Sequence, residues 1–230
     1  MNIAVIPARG GSKRIPRKNV KAFCGRPMIA WSIKAALESG CFDRVIVSTD
    51  DDEIAAVAEE HGAEVPFRRP AALSDDYTPI VPVIAHAIRW QQATATVERA
   101  CCIYATAPML CAEDLRAGRT ALDVPNRDYV FSVTSYPFPI QRALKIDMEG
   151  RLAMFQPEHL ETRSQDLEDA YHDAGQFYWG RAGAWLAGRP IFDAASATVQ
   201  LPRKRVQDID TIEDWERAEL LFKLMRAMNS

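Results

Sequence analysis

The 230-residue sequence has no CxxC pair, no excess of positive charge, and no apolar run near the roughly 20 residues that cross a membrane. Its five cysteines, Cys24, Cys41, Cys101, Cys102 and Cys111, form an odd set without ligand spacing. Neither a disulfide framework nor a zinc site is indicated, and buried reduced thiols are expected. With 28 Lys and Arg against 31 Asp and Glu the net charge is -3, so nucleic acid and anionic membranes are poor partners. The first residues enter a strand directly, without the basic and apolar regions of a secretion signal, so a cytoplasmic protein is expected. Repeats, linkers and low-complexity tracts are also lacking. One domain over 1–230 is the expectation.

What is present is a strand and helix alternation. Asn2 to Pro7 is a continuous apolar run, which suits a strand buried on both faces. Met28, Ile29, Ile33, Ala36 and Leu37 fall at helical spacing within Arg26 to Ser39, and Gly40 ends that helix. Strands are predicted at Arg44 to Ser48, Glu64 to Phe67, Ala100 to Tyr104, Tyr129 to Thr134 and Gly175 to Gly180. Helices are predicted from Asp50–Asp52 to near Gly62, and over Ile80 to Gln92, Glu113 to Leu122, Ala182 to Ala187 and Thr211 to about Met225. Asp50, Asp51 and Asp52 supply carboxylates for the second helix's N-terminus. The pattern implies an α/β fold, doubly wound around a mostly parallel sheet. Residues 137–173 interrupt it with two short strands joined near Glu149-Gly150 and a polar stretch, an excursion suited to a subunit arm or a lid.

The densest chemistry follows the first strand. PARGGSKRIPRKN carries Arg9, Lys13, Arg14, Arg17 and Lys18 around Gly10 and Gly11. Ligands of open α/β sheets bind beyond the carboxyl ends of the strands. Paired glycines let backbone N–H groups approach an anion, and the cations neutralise phosphate charge. The spacing is neither GxxxxGK[ST] nor GxGxxG, which removes the P-loop and the dinucleotide fingerprint, and with the latter the case for an NAD(P)-dependent oxidoreductase.

A second constellation is Asp208 and Asp210 in VQDIDTIED. In an extended segment, residues two apart point the same way, so both carboxylates can meet one hard divalent cation. Spacing alone equally allows Asp210 to cap the last helix while Asp208 is solvated.

IPARGGSKRIPRKN closely resembles the nucleotide-binding loop of the CMP-sialic acid synthetase family, cytidylyltransferases that activate nine-carbon acidic sugars. The resemblance continues through CGRPMIAWSI, DRVIVSTDD, RRPAALSDD and VQDIDTIED, and thus covers essentially the whole chain. CCIYATAPML and DAGQFYWG look most like the branch that activates pseudaminic acid. The resemblance implies a fold of the nucleotide-diphospho-sugar transferase, Rossmann-like type. It also implies a reaction in which CTP and a free 2-keto acid sugar give a CMP-sugar and pyrophosphate.

Residue roles follow from the same resemblance. Arg9 would hold the triphosphate near its reacting end, with Gly10, Gly11, Ser12 and Lys13 completing the loop. Lys18 would stabilise phosphate charge, Asn19 would direct a hydrogen bond to CTP, and Arg69 would meet the cytosine. Asp208 and Asp210 match the family's metal positions and would hold Mg2+. Arg14 and Arg17 are left as loop cations, Asp75 and Asp76 as helix caps, and Asp50 outside the metal set.

Two departures from the neuraminic branch fall where the family contacts its sugar. Tyr104 stands where a motif like LQPTSPLR has glutamine, and HDAGQFY stands where a motif like RPNGAIY is usual. Tyr104, Gln176 and Tyr178 are therefore expected to line the sugar pocket, the last two sharing a strand face, with Phe177 in the core. His172 is a candidate proton acceptor or an arm residue. The resemblance further implies a homodimer formed through the excursion. Legionaminic or N-acetylneuraminic acid as the sugar, and an inactive nucleotide-binding relative, are the competing readings. Intact loop cations and both carboxylates speak against the inactive relative.

Overall fold

A computed structural model describes residues 1–228; the single-domain expectation also takes in residues 229 and 230, which lie outside the described residues. Six strands form the central sheet: β1 (Asn2–Pro7), β4 (Arg44–Ser48), β5 (Arg99–Ile103), β6 (Tyr129–Ser135), β9 (Tyr171–Arg181) and β10 (Ser196–Gln200). Between these lie two small ribbons, β2 (Ala22–Phe23) with β3 (Arg26–Pro27), and β7 (Leu144–Ile146) with β8 (Leu152–Met154). The helices are α1 (Met28–Ser39), α2 (Asp52–Glu60), α3 (Ile80–Gln92), α4 (Ala112–Leu122), α5 (Ala182–Ala187) and α6 (Ile212–Met228).

The sheet runs β10-β6-β9-β5-β1-β4. Strands β4, β1 and β5 pair in parallel, as do β6 and β10, whereas β9 is antiparallel to both of its neighbours. The sheet is mixed α/β and mostly parallel, as the alternation implies. Each face has its own core, and the period of two divides the residues between them. Ala4, Ile6 and Cys101 pack with α1 and α4 residues on one side. Ile3, Val5 and Cys102 pack with Ile84, Ile88 and Trp185 on the other. A third cluster joins Ile15, Phe23, Trp31, Trp215 and Phe222, and so fastens α6 beneath the loop that follows β1.

Some expectations change. Glu64 to Phe67 forms no strand; only single bridges link Glu64 to Ile46 and Arg68 to Thr49. The first helix begins at Met28, because Arg26 and Pro27 are taken up in pairing with Ala22 and Phe23. β9 is longer than Gly175 to Gly180, and β10 is an additional edge strand paired only to β6. The register of β6 against β9 shifts between Phe131 and Val133, opposite Gly175, whose φ is +61°. That left-handed residue makes the bulge, which is where a strand re-aims its side chains.

The excursion leaves the sheet after β6 and returns at β9. Its hairpin turns at Gly150, φ +77°, after Asp147 Oδ1 has accepted the backbone N–H groups of Glu149 and Arg151 at 3.0 and 2.8 Å. Phe138, Ile146, Met148, Leu152, Phe155 and Leu160 all stand exposed on this segment, Met148 at 99%.

Candidate active site

A cleft of about 530 Å³ opens beyond the carboxyl ends of β1, β4 and β5. Arg9, Ser12, Lys13, Arg14, Lys18, Asn19, Arg69 and Tyr104 line it. The loop after β1 keeps its shape through Ile15, fully buried in the third cluster, and through Asn19, whose side-chain amide donates to Arg9 O at 3.0 Å. Gly10 is required by a close approach: a Cβ there would lie 2.6 Å from Asp51 Oδ2. Its N–H donates to Asp50 Oδ1 at 3.1 Å, while Gly11 faces open space.

All five loop cations have carboxylate partners. Arg9 and Lys13 both pair with Asp76. Arg14 and Lys18 reach Asp210 at 2.8 and 3.6 Å, and Lys18 also donates to Ile209 O at 2.6 Å. Arg17 turns away to α2, where it pairs with Asp51 at 2.6 Å and with Glu53. Hydrogen bonding to Arg17 holds the Asp51 carboxyl down at about 2, and Asp51 caps α2 by accepting Ile54 N–H. Arg17 thus braces the loop from outside the cleft.

The two acidic residues of RRPAALSDD divide their work. Asp75 closes a turn by accepting Tyr77 N–H, Thr78 N–H and the Thr78 hydroxyl at 2.6 to 3.0 Å. Asp76 caps nothing and sits among the loop cations, a position that sequence spacing does not reveal because its partners are more than sixty residues away. Arg69 is buried in the wall, with its guanidinium on Ser48 O and within 3.5 Å of Leu73 O. Its Nε–H is buried without a partner, and burial pulls its pKa down.

At the cleft's far edge, the N-terminus of α6 is capped by Thr211, whose hydroxyl accepts Asp214 N–H at 3.2 Å. The Asp214 carboxylate accepts Thr211 N–H at 2.8 Å in return. Asp210 is therefore not the cap, and its carboxylate faces Arg14 and Lys18. Burial and the Asp210 charge push the Asp208 carboxyl up, with Lys18 pulling the other way. An exposed Asp208 and a partly buried Asp210 under mutual repulsion are a donor set that a divalent cation would relieve. Among the described residues no group of three or more His, Cys, Asp or Glu is arranged to hold a metal, so this pair would leave most of the coordination sphere to water and phosphate.

Tyr104 stands at the other end, beyond β5, its ring 5.5 Å from that of Tyr178. Burial pushes its hydroxyl up to about 12. Gln176 and Tyr178 lie below the cleft surface, 4% and 3% exposed. Gln176 donates to Arg205 O at 2.6 Å and its Oε1 is buried without a partner. Tyr178 donates to Asp173. Phe177 is in the core, as expected. His172 packs against Tyr136 at 4.9 Å, at the root of the excursion and outside the lining of the cleft.

A family model described as cytidylyltransferase matches residues 3–191. The chain is 46% identical over 224 residues to a pseudaminic acid cytidylyltransferase of Campylobacter jejuni, covering 97% of each protein. It is 32% identical to a CMP-N,N'-diacetyllegionaminic acid synthase of Legionella pneumophila, covering 96% of each. A solved CMP:2-keto-3-deoxy-manno-octonic acid synthetase complexed with CTP superposes with a TM-score of 0.73 over 97% of this chain and 99% of that one. At 15% identity that likeness speaks for the fold alone. The matched model and the full-length relatives together make this chain a member of the cytidylyltransferase family.

Proposed function

We propose that the protein transfers CMP from CTP to the anomeric hydroxyl of pseudaminic acid, releasing pyrophosphate. The observation that carries this reading is the end-to-end match to the Campylobacter jejuni protein. In the reaction the sugar hydroxyl loses its proton, its oxygen bonds to the α-phosphorus of CTP, and the bond from that phosphorus to the bridging oxygen breaks. Negative charge grows on the departing pyrophosphate, so catalysis is positioning and charge stabilisation.

The triphosphate is read against the loop: Arg9, Ser12 and Lys13 along the phosphates, with Gly11 at an open position for a backbone N–H contact. Lys18 is read as the cation at the reacting end, and Asn19 as both a brace of the loop and a hydrogen-bonding partner of CTP. The orphaned Nε–H of Arg69 suits an acceptor on the cytosine. Asp208 and Asp210 would hold Mg2+, which when bound would neutralise phosphate charge beside Lys18. Tyr104 is read as the sugar contact, with Tyr178 and Gln176 as support from below.

The same reading includes a homodimer joined through residues 137–173. A row of large apolar side chains at more than half exposure, Ile146, Met148, Leu152 and Phe155 among them, supports it. It also assigns the enzyme to the cytoplasm, where CTP is made; the unpaired cysteines suit a reducing compartment.

Incubation with CTP, Mg2+ and a panel of nonulosonic acids, followed by mass spectrometry of the CMP-sugar, tests the reaction. CMP-pseudaminic acid is the expected product. Preference for legionaminic or N-acetylneuraminic acid would replace the sugar, and the absence of pyrophosphate with every acid would leave a nucleotide-binding relative. Light scattering on the eluting protein tests the dimer.

A further inference from the structure

The loop after β1 is held near both ends by one carboxylate. Asp51 follows β4, and its backbone is fixed first: its N–H donates to the hydroxyl of the buried Thr49 at 3.1 Å, and its C=O accepts Ala55 N–H at 3.1 Å. At the near end of the loop, Asp51 Oδ2 sits against Gly10, where only a residue without Cβ fits. At the far end, Arg17 Nη1 donates to the same Oδ2 at 2.6 Å and Nη2 donates to Oδ1 at 2.9 Å, with Glu53 as a further acceptor. A bidentate pair shared with a second carboxylate is the partly exposed geometry that carries weight. Arg17, Asp51 and Glu53 lie outside the lining of the cleft, so a triphosphate can displace Asp76 from Arg9 and Lys13 without opening this clamp. The Arg17 backbone has φ +55°, the left-handed region that a residue with Cβ enters at a cost. There its C=O accepts Val20 N–H and Lys21 N–H at 3.0 and 2.9 Å, and the next residue, Lys18, is delivered to Ile209 O and Asp210. Freed from Asp51, Arg17 would relax toward negative φ and take Lys18 with it.

We propose that Asp51 is a positioning residue for nucleotide binding: through its contact with Gly10 and its bidentate bond to Arg17, it presets the span of loop that carries Ser12, Lys13 and Lys18. This role rests on the proposed binding of CTP and is independent of which acid the enzyme accepts. The triphosphate meets a loop already in its binding shape, and the cost of ordering that loop falls on folding instead of on binding.

The test is calorimetry of CTP with Mg2+ and no sugar, on the wild type, Arg17→Ala, Arg17→Gly, Asp51→Asn and the double variant Arg17→Ala with Asp51→Asn. Asp51→Asn keeps the α2 cap through its oxygen, since asparagine caps as well as aspartate, but turns an amide donor toward an Arg17 donor. If the unclamped loop holds its binding shape about one-tenth of the time, the Kd for CTP rises about tenfold in Asp51→Asn and in Arg17→Ala. Arg17→Gly should lose only about threefold, because glycine adopts φ +55° freely although it makes none of the contacts. The double variant should be no worse than the poorer single one, since both changes remove one interaction. With whichever acid the enzyme accepts, the sugar KM should stay within about twofold, because Tyr104 lies at the other end of the cleft. An unchanged Kd with a lowered Tm would leave the clamp a purely structural brace and overturn the proposal. A larger loss in Arg17→Gly than in Arg17→Ala, additive losses in the double variant, or a parallel rise in the sugar KM would do the same. Wild-type binding of CTP with indifferent variants sinks this inference alone, and a wild type that binds no CTP sinks the nucleotide reading with it.

Discussion

At the loop end of the cleft, five cations meet four carboxylates at or near the surface; at the β5 end, the buried Tyr178 hydroxyl donates to Asp173 beside the ring of Tyr104. Exposed ion pairs are each worth about 0 to 1 kcal/mol, so phosphate can exchange with them at little cost. Asp76 in particular holds Arg9 and Lys13 where an anion would otherwise sit. The Tyr178 phenol is different, since a buried hydroxyl cannot be turned without stranding its partner. One end is built to trade charges, the other to keep a fixed hydrogen-bond direction. Nucleotide binding should therefore respond to charge changes, and sugar choice to changes of donor and acceptor.

The sharpest break in this contrast is Asp210→Ala. It removes a carboxylate read as a metal ligand and unpairs Arg14 and Lys18, and kcat is expected to fall by about a hundredfold to a thousandfold. Pyrophosphate release with CTP and Mg2+ measures it. Next is Tyr104→Phe, which deletes the hydroxyl read as the sugar contact: the sugar KM should rise about tenfold with the CTP KM nearly unmoved. A matching rise for CTP would erase the distinction between the two ends. Asp76→Asn takes a competitor out of the phosphate site, and CTP should bind about threefold tighter by calorimetry. Weaker binding would mean that Asp76 helps the nucleotide.

The smallest effect concerns Asp208. Its carboxyl is raised, so the folded protein holds that proton more tightly than the unfolded chain. Stability then falls as pH rises from the unfolded value through the folded one, and stays lower above it. Asp208→Asn removes the charge and should raise the Tm of metal-free protein by about 2 °C at neutral pH. A lower Tm would show that Lys18 outweighs the repulsion.

Much of the scaffold behind these sites could be read locally. The apolar run of β1, the helical spacing in α1 and the carboxylate at Asp51 are properties of neighbouring residues, and each appears in the structure as expected. The turn at Gly150 was legible for the same reason. β10 was not: SATVQ has little apolar content and is a strand only because β6 offers it an edge. Glu64 to Phe67 has strand-like residues but finds no continuous partner beyond β4. The antiparallel course of β9 is likewise set by where the excursion returns, which no local pattern encodes. The loop cations were evident from their density, whereas Asp76 and Asp173 acquire meaning only through partners that folding brings to them.

The return of the excursion has one more consequence. Ser135 and Tyr171 are directly paired across β6 and β9, and Tyr136 N–H donates to Ala170 O at 3.0 Å, so the segment's two ends already lie side by side. A short turn such as Asn-Gly could join them in place of residues 137–169. The hairpin is thus a removable cassette, inserted at a point where the backbone closes without it. An engineer can cut it out, or graft in the equivalent piece of a relative, without rethreading the sheet.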